Sequence, residues 1–265
     1  MPYVGCGALN YARRIPSSSS APCPVASTTW APPGPTRRVV DSLREKGVVP
    51  TATSCLDWGV RFLGGSRLAR RTRGATFRFA DAEYRYCEAR YRWTWLGERS
   101  VEVPIAARLV DATVGRVLEV GNVLSHYRPV THEVVDKYER SPGVRNADVL
   151  ELNEIGAYDL VLSLSTIEHV GWDECPRDPE LAIEAMRRLQ RLMAPGGRLV
   201  VTVPVGYHPR LDRCILDGDL SFGEVRALAC SYPSGGWREI PTELVAHYPY
   251  DKLLYRAGAI LVGLT

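Results

Sequence analysis

Glu168 and His169 stand side by side in STIEHVGW, directly after the apolar run YDLVLSLS at 158–165. A carboxylate beside an imidazole can orient the ring or charge-pair with it, so the pair suits general acid–base work. The bland alternative is a helix start that packs and caps. His126 in LSHY and His208 in VGYHP also follow apolar runs, and His208 has the character of a loop histidine as much as of a base. Trp172 and Tyr207 lie near these histidines in the sequence and offer aromatic faces to a ring-shaped ligand, a role that competes with plain packing.

A second set of residues points to a nucleoside-like ligand. Asp136 ends the run HEVVD, where a carboxylate can accept from the vicinal hydroxyls of a ribose, or else cap the next turn. Asp148, in NAD, could receive an amino group of a base. The turn after 116–120 reads EVGNVLSHY, with one glycine where a dinucleotide fingerprint needs three, and no GxxxxGK[ST] occurs anywhere. A ligand with a ribose and no phosphates is the chemistry that remains.

These residues need elements that bring them to one crevice. Short β-branched and leucine-rich runs at 116–120, 133–136, 160–163, 198–203 and 259–264, with a brief strand before 146–148, read as buried strands. Between 120 and 133 there is room for only a turn or two of helix. The stretch 179–193 reads as an amphipathic helix, with Asp178 before it, Pro179 at its start and a stripe of Leu181, Ala185, Met186, Leu189, Leu192 and Met193. A break at 194–197 follows. This alternation predicts an α/β fold with a doubly wound, mostly parallel sheet, in which ligands bind beyond the carboxyl ends of the strands. Upstream, 76–87 reads as a hairpin with alternating Phe77, Phe79, Tyr84 and Tyr86. A short helix is expected over 38–47, and 207–255 shows little period.

Residues 1–37 hold seven prolines, the run Ser17–Ser20 and no acid, which predicts a disordered leader. The expected organisation is that leader, an N-terminal hairpin and helix extension over 38–100, and a sheet domain over 101–265. RLARRTR at 67–73 has no interleaved aromatic residues and reads as a solvated connector. A net charge of +3 gives no reason to expect nucleic acid as a partner, and no apolar run is long enough for a membrane span. Seven scattered cysteines without a CxxC pair fit a reducing, cytoplasmic setting.

The strings EVGNVLSHY, VVDKYE, YDLVLS, STIEHVGWDE and LMAPGGRLVVTVPVGY together resemble the class I S-adenosylmethionine-dependent methyltransferases, and more narrowly a prokaryotic type-11-like group. TWLGERSVEVPI and AGAILVGL extend the resemblance over about 76–264. It implies a Rossmann-like methyltransferase sheet and S-adenosylmethionine as cofactor. It further implies Glu119, Gly121 and Asn122 along the methionine part, Asp136 on the ribose, Asp148 and Val149 at the adenine edge, and Ser165 under the sulfonium. Thr94, Trp95, Glu98, Arg99 and Glu102 would cover cofactor or acceptor, or form an internal Arg–Glu network.

Glu168 and His169 are then the expected catalytic pair, with Trp172, Tyr207 and His208 about the acceptor. Some relatives hold a divalent metal through a nearby acid, but Ser165 stands at that position, so no metal is expected. SLST replaces the motif expected for transfer to a base amine, which favours O-methylation of a small-molecule or saccharide hydroxyl. The competing readings are a non-catalytic binding or scaffold protein of the same fold, and an RNA methyltransferase using the arginine-rich segment.

Overall fold

Leucine, isoleucine and valine dominate the runs that pair into the central sheet, because both faces of that sheet are covered. The computed structural model describes residues 34–72, 75–231 and 236–265. In chain order these form α1 (Pro35–Lys46), α2 (Val48–Thr72), the strands β1 (Thr76–Phe79) and β2 (Ala82–Arg85), and α3 (Arg99–Ala112). Then come β3 (Val117–Val120), β4 (Glu133–Val135), β5 (Val144–Arg145), β6 (Tyr158–Leu164), α4 (Glu180–Leu192) and β7 (Met193–Pro204). The chain closes with α5 (Pro209–Leu216), β8 (Glu224–Ser231), β9 (Gly236–Ile240) and β10 (Ala259–Leu264).

Eight strands lie in the order β5-β4-β3-β6-β7-β10-β8-β9, and β1 and β2 form a separate antiparallel hairpin. The strands from β5 to β7 are mutually parallel, whereas β10 runs antiparallel to both of its neighbours. Alternate residues supply the two cores. Leu118, Val161 and Leu261 pack with Ile183, Met186 and Leu189 of α4 on one face. Leu160, Leu162 and Ile260 pack with Val101 and Ile105 of α3, and with Phe77 and Phe79 of the hairpin, on the other. Each such side chain contributes about 1.5–3 kcal/mol by burial, which is why runs of four to seven residues suffice.

Several expectations need correction. RLARRTR is not a connector: residues 67–72 continue α2, as suits a run of good helix formers. The first helix begins at Pro35 and not 38, so only 1–33 of the expected leader lies outside the described residues. Residues 194–197 do not interrupt the chain, since β7 starts at Met193 and passes a register shift against β6. The stretch 207–255 holds α5, β8 and β9, whose alternation is blurred because β8 is buried between two antiparallel neighbours. Cys175 is disulfide-bonded, against the reading of scattered thiols, while Cys55, Cys87 and Cys214 are free. No helix among the described residues is long and apolar enough to cross a membrane.

One buried cluster ties α3 to the ends of β6 and β7. Glu102 is 0% exposed, and its Oε1 accepts from the hydroxyls of Ser165 and Thr202 (2.6 Å to the latter), while Oε2 accepts from Arg99 at 2.9 Å. Arg99 also donates to the carbonyls of Leu164 (2.8 Å) and Ser165 (3.2 Å). Pro104 leaves the carbonyl of Ser100 without its usual helical donor, and the Cys87 N–H bonds it instead at 2.9 Å, joining the hairpin strand end to α3. Among the alternatives for the TWLGERSVE segment, the Arg99–Glu102 pair is therefore an internal network.

Arg99→Met should cost roughly 3–5 kcal/mol in urea unfolding, because it strands a buried carboxylate. A loss below about 1 kcal/mol would mean that the Ser165 and Thr202 hydroxyls alone satisfy Glu102.

Candidate active site

The turn after β3 is closed from within. Glu119, at 0% exposed, accepts from the backbone N–H groups of Val123 (2.9 Å) and Leu124 (2.8 Å) and from His132 Nε2 at 2.8 Å. Its carboxylate is spent on holding the turn, so it does not line a methionine site; the buried strand position and the adjacent amides decide this. Gly121 has φ +89°, and a Cβ there would lie 2.2 Å from Thr166 Oγ1. Glycine is thus needed because the loop after β6 presses on the turn. Asn122, 6% exposed, gives its side chain to Glu139 (Nδ2, 2.7 Å) and Ser125.

Asp136 caps the next turn. Oδ1 accepts from Tyr138 N (2.8 Å) and Glu139 N (2.7 Å), and Oδ2 from Asn122 N (3.1 Å). A carboxylate has about four acceptor positions, so capacity for one further donor remains on Oδ2. Asp148 accepts from Leu150 N at 3.0 Å and pairs with Lys137 at 2.8 Å, and Lys137 also reaches Glu174 at 2.7 Å. Val149 is 6% exposed and packs in the core, so its side chain does not form an adenine edge. Ser165, with φ +37°, gives its hydroxyl to Glu102 and does not present it to a ligand; Arg99 and Glu102 together hold this uncommon backbone conformation.

Beyond β6 the residues converge. His169 Nδ1 meets Asp173 Oδ2, and the Tyr207 hydroxyl donates to the same oxygen at 2.6 Å. The His169 and Tyr207 rings meet edge to face at 4.8 Å, and Tyr207 meets Tyr250 at 5.0 Å. The His169 side chain is 42% exposed. Burial works to lower its pKa, yet the bond to Asp173 and the charges of Glu168 and Asp173 outweigh this and hold it above the ordinary value. Glu168 is 1% exposed, and burial pushes it up to about 7 against the opposing influence of His169. Its Oε1 lies 3.7 Å from His169 Nε2, and its Oε2 is buried without a hydrogen-bond partner.

His208 is not a base facing a crevice. It is 0% exposed, its Nδ1 accepts from Leu211 N at 3.0 Å as the cap of α5, and burial holds its pKa below the usual range. Trp172 carries the Arg177 guanidinium over its ring at 4.4 Å and meets the His208 ring at 4.5 Å, so much of its face is already covered. His126 stacks on Tyr91 at 4.4 Å and approaches Glu139, away from His169 and its partners.

A cavity of about 300 Å³ opens beside Asp173 and Tyr207, closed over by α1 and the 250–255 segment. Asp173, Arg177, Tyr250 and Arg38, which line it, escaped the reading of the sequence. The HxxxD spacing of His169 and Asp173 was the available signal; the turn after His169 brings the two together, with Asp173 N bonded to the His169 carbonyl at 3.1 Å. Nothing local marks Arg38 or Tyr250.

No protein-family model and no curated protein matches the sequence. Among solved structures, the chain is similar to a methyltransferase of Thermotoga maritima described as a possible histamine N-methyltransferase, at 17% identity and TM-score 0.41, covering 66% of this chain and 93% of that one. Another is an S-adenosylmethionine-dependent methyltransferase of Archaeoglobus fulgidus (16%, TM-score 0.40, 66% and 98%). A third is the 1,6-didemethyltoxoflavin N1-methyltransferase of Burkholderia thailandensis (16%, 0.36, 71% and 96%). Counted along the core, the strand order 3-2-1-4-5 is followed by a reversed last strand set between the fifth and sixth. The fold is a doubly wound, mostly parallel Rossmann-like sheet. In this sheet, β3, β4 and β6 carry Gly121, Asp136 and Glu168–His169 just past their carboxyl ends, on one rim.

Asp212 adds a pH dependence to that rim. Its Oδ2 accepts from Gly206 N at 2.7 Å, its Oδ1 is buried without a partner, and burial pushes its pKa up to about 7. The folded value lies above the unfolded one, so the neutral acid's contribution is full below the unfolded pKa and is lost as pH rises through about 7. Asp212→Asn, which keeps an acceptor for Gly206, should melt higher than the parent at about pH 8 and alike at about pH 4 or below. Equal melting temperatures at the higher pH would show that solvent or a rearranged loop already relieves the charge.

Proposed function

We propose that the protein is an S-adenosylmethionine-dependent methyltransferase that methylates a hydroxyl of a small molecule or saccharide. The observation that carries this reading is the arrangement of His169, held at Nδ1 by Asp173 with Tyr207 on the same carboxylate, beside the cavity at the carboxyl ends of the strands. The residues also suit the cofactor. Asp136 Oδ2 has room for one ribose hydroxyl. Glu168 Oε2, buried without a partner, would be relieved by a cationic ligand, which would in turn favour its ionised form, and it disfavours a pyrophosphate. The bent turn at Gly121 offers no phosphate nest.

When bound, S-adenosylmethionine supplies a methyl group on a sulfonium, open to attack by a nucleophile. The chain's own work is then to place the acceptor and remove its proton. His169 takes the hydroxyl proton at Nε2, and Asp173 keeps Nδ1 protonated and stabilises the resulting cation. Glu168, buried beside Nε2, adds to that stabilisation when ionised. Arg99 and Glu102 hold the backbone of the loop through Ser165 and Leu164. Oriented proximity in the cavity contributes roughly 7–11 kcal/mol of barrier reduction if the acceptor is held in line.

His169→Gln should lower turnover by about 10²–10⁴-fold with cofactor affinity little changed. The parent rate should rise with pH through a pKa above the ordinary 6.5 of histidine, because neutral imidazole is the base, and that limb should vanish in the variant. Full activity with an unchanged profile would remove His169 from the chemistry. Calorimetry with S-adenosylhomocysteine and NAD checks the cofactor separately: the first should bind and the second should not, and comparable affinities would overturn the cofactor assignment.

A further inference from the structure

The cavity beside Tyr207 is flanked by two guanidinium groups that lack a carboxylate. Arg38, on α1, sits over the Tyr255 ring at 5.2 Å and donates to the Leu253 carbonyl at 3.3 Å, while its Nε is buried without a partner. Arg177, in the loop after β6, sits over Trp172 at 4.4 Å and donates from Nε to the Trp172 carbonyl at 2.7 Å. Both line the same cavity of about 300 Å³. Neither forms an ion pair with an acid among the described residues.

The acids nearby are already engaged. Asp41 pairs with Arg37 at 3.9 Å and Glu45 with Lys252 at 3.5 Å, while Asp173 serves His169 and Tyr207. Each guanidinium has five N–H donors, and one is accounted for on each arginine. An aromatic plate and a carbonyl fix each fork in place, so little side-chain entropy remains to be lost on binding. Such forks suit the paired oxygens of a carboxylate or a phosphate.

We infer that the acceptor carries an anionic group, a carboxylate or a phosphate, which Arg38 and Arg177 bind while its hydroxyl is presented toward His169. This deepens the methyl-transfer reading and rests on it. The cavity is at the small end of ligand sites, which suits a single acidic sugar or a hydroxy acid. Arg38 is then a specificity residue supplied by α1, an element that lies outside the central sheet.

The test is calorimetry on the full chain saturated with S-adenosylhomocysteine, titrated with glucuronate, glucose 6-phosphate, inorganic phosphate and neutral glucose. At least one acidic probe should bind about tenfold tighter than glucose, and glucuronate against glucose 6-phosphate tells carboxylate from phosphate. Arg38→Gln and Arg177→Gln should each weaken that probe about tenfold while leaving S-adenosylhomocysteine affinity unchanged, which also reports that the variants fold. The inference is overturned if glucose binds as well as the acids, if no acidic probe binds, or if both variants retain the preference. Titration of the probes without cofactor reads the arginines independently, so loss of cofactor binding sinks the methyltransferase reading and loss of the acid preference sinks this one.

Discussion

The carboxylate of Glu102, removed from water between α3 and the ends of β6 and β7, is the constraint on which the rim of the sheet depends. A buried charge is costly unless every oxygen is met, and here Arg99, Ser165 and Thr202 meet it. Those partners in turn fix the loop after β6. Arg99 grips the carbonyls of Leu164 and Ser165, and Ser165 takes an uncommon φ of +37° directly before the turn that bears Glu168 and His169. The position of the proposed base is therefore set by an ion pair that itself touches no reacting atom.

On the neighbouring strand β3, a second carboxylate has the same role. Glu119 binds the first turn through two backbone N–H groups and His132, and the turn then packs so closely on Thr166 that only glycine fits at 121. The two turns are thus wedged against each other. Acids that a motif reading assigns to ligand contact serve here to build the cradle. Asp136 does both: it caps the 137–139 turn and retains one acceptor position.

Burial and period governed what was legible in the sequence. The strands β3, β4, β6 and β10, the helix α4 and the hairpin are found within a few residues of where their apolar patterns put them, because each pattern faces one side of the same sheet. Burial without alternation hid β8, which lies between two antiparallel partners. In the site, residue type was readable and direction was not. Glu119, Val149 and His208 stand beside the crevice in sequence yet point into the core, and nothing in a linear pattern reports which way a loop side chain turns. Asp173 was missed although its spacing from His169 is helical, and Arg38 was missed because it reaches the cavity only through tertiary packing of α1.

Two kinds of unpartnered charge-bearing group lie near the rim. Glu168 keeps an unpartnered oxygen buried at the end of β6, where cationic character in a ligand would relieve it. Arg38 and Arg177 present guanidinium groups without a carboxylate on the cavity wall formed by α1 and the 172–177 loop. On the proposed reading, this arrangement suits a cationic methyl donor near β6 and an anionic group of the acceptor beside the arginines. His169 is in ring contact with Tyr207 and bonded to Asp173, both of which line the cavity. On that reading, fixed charges would orient both ligands before any side chain has to move.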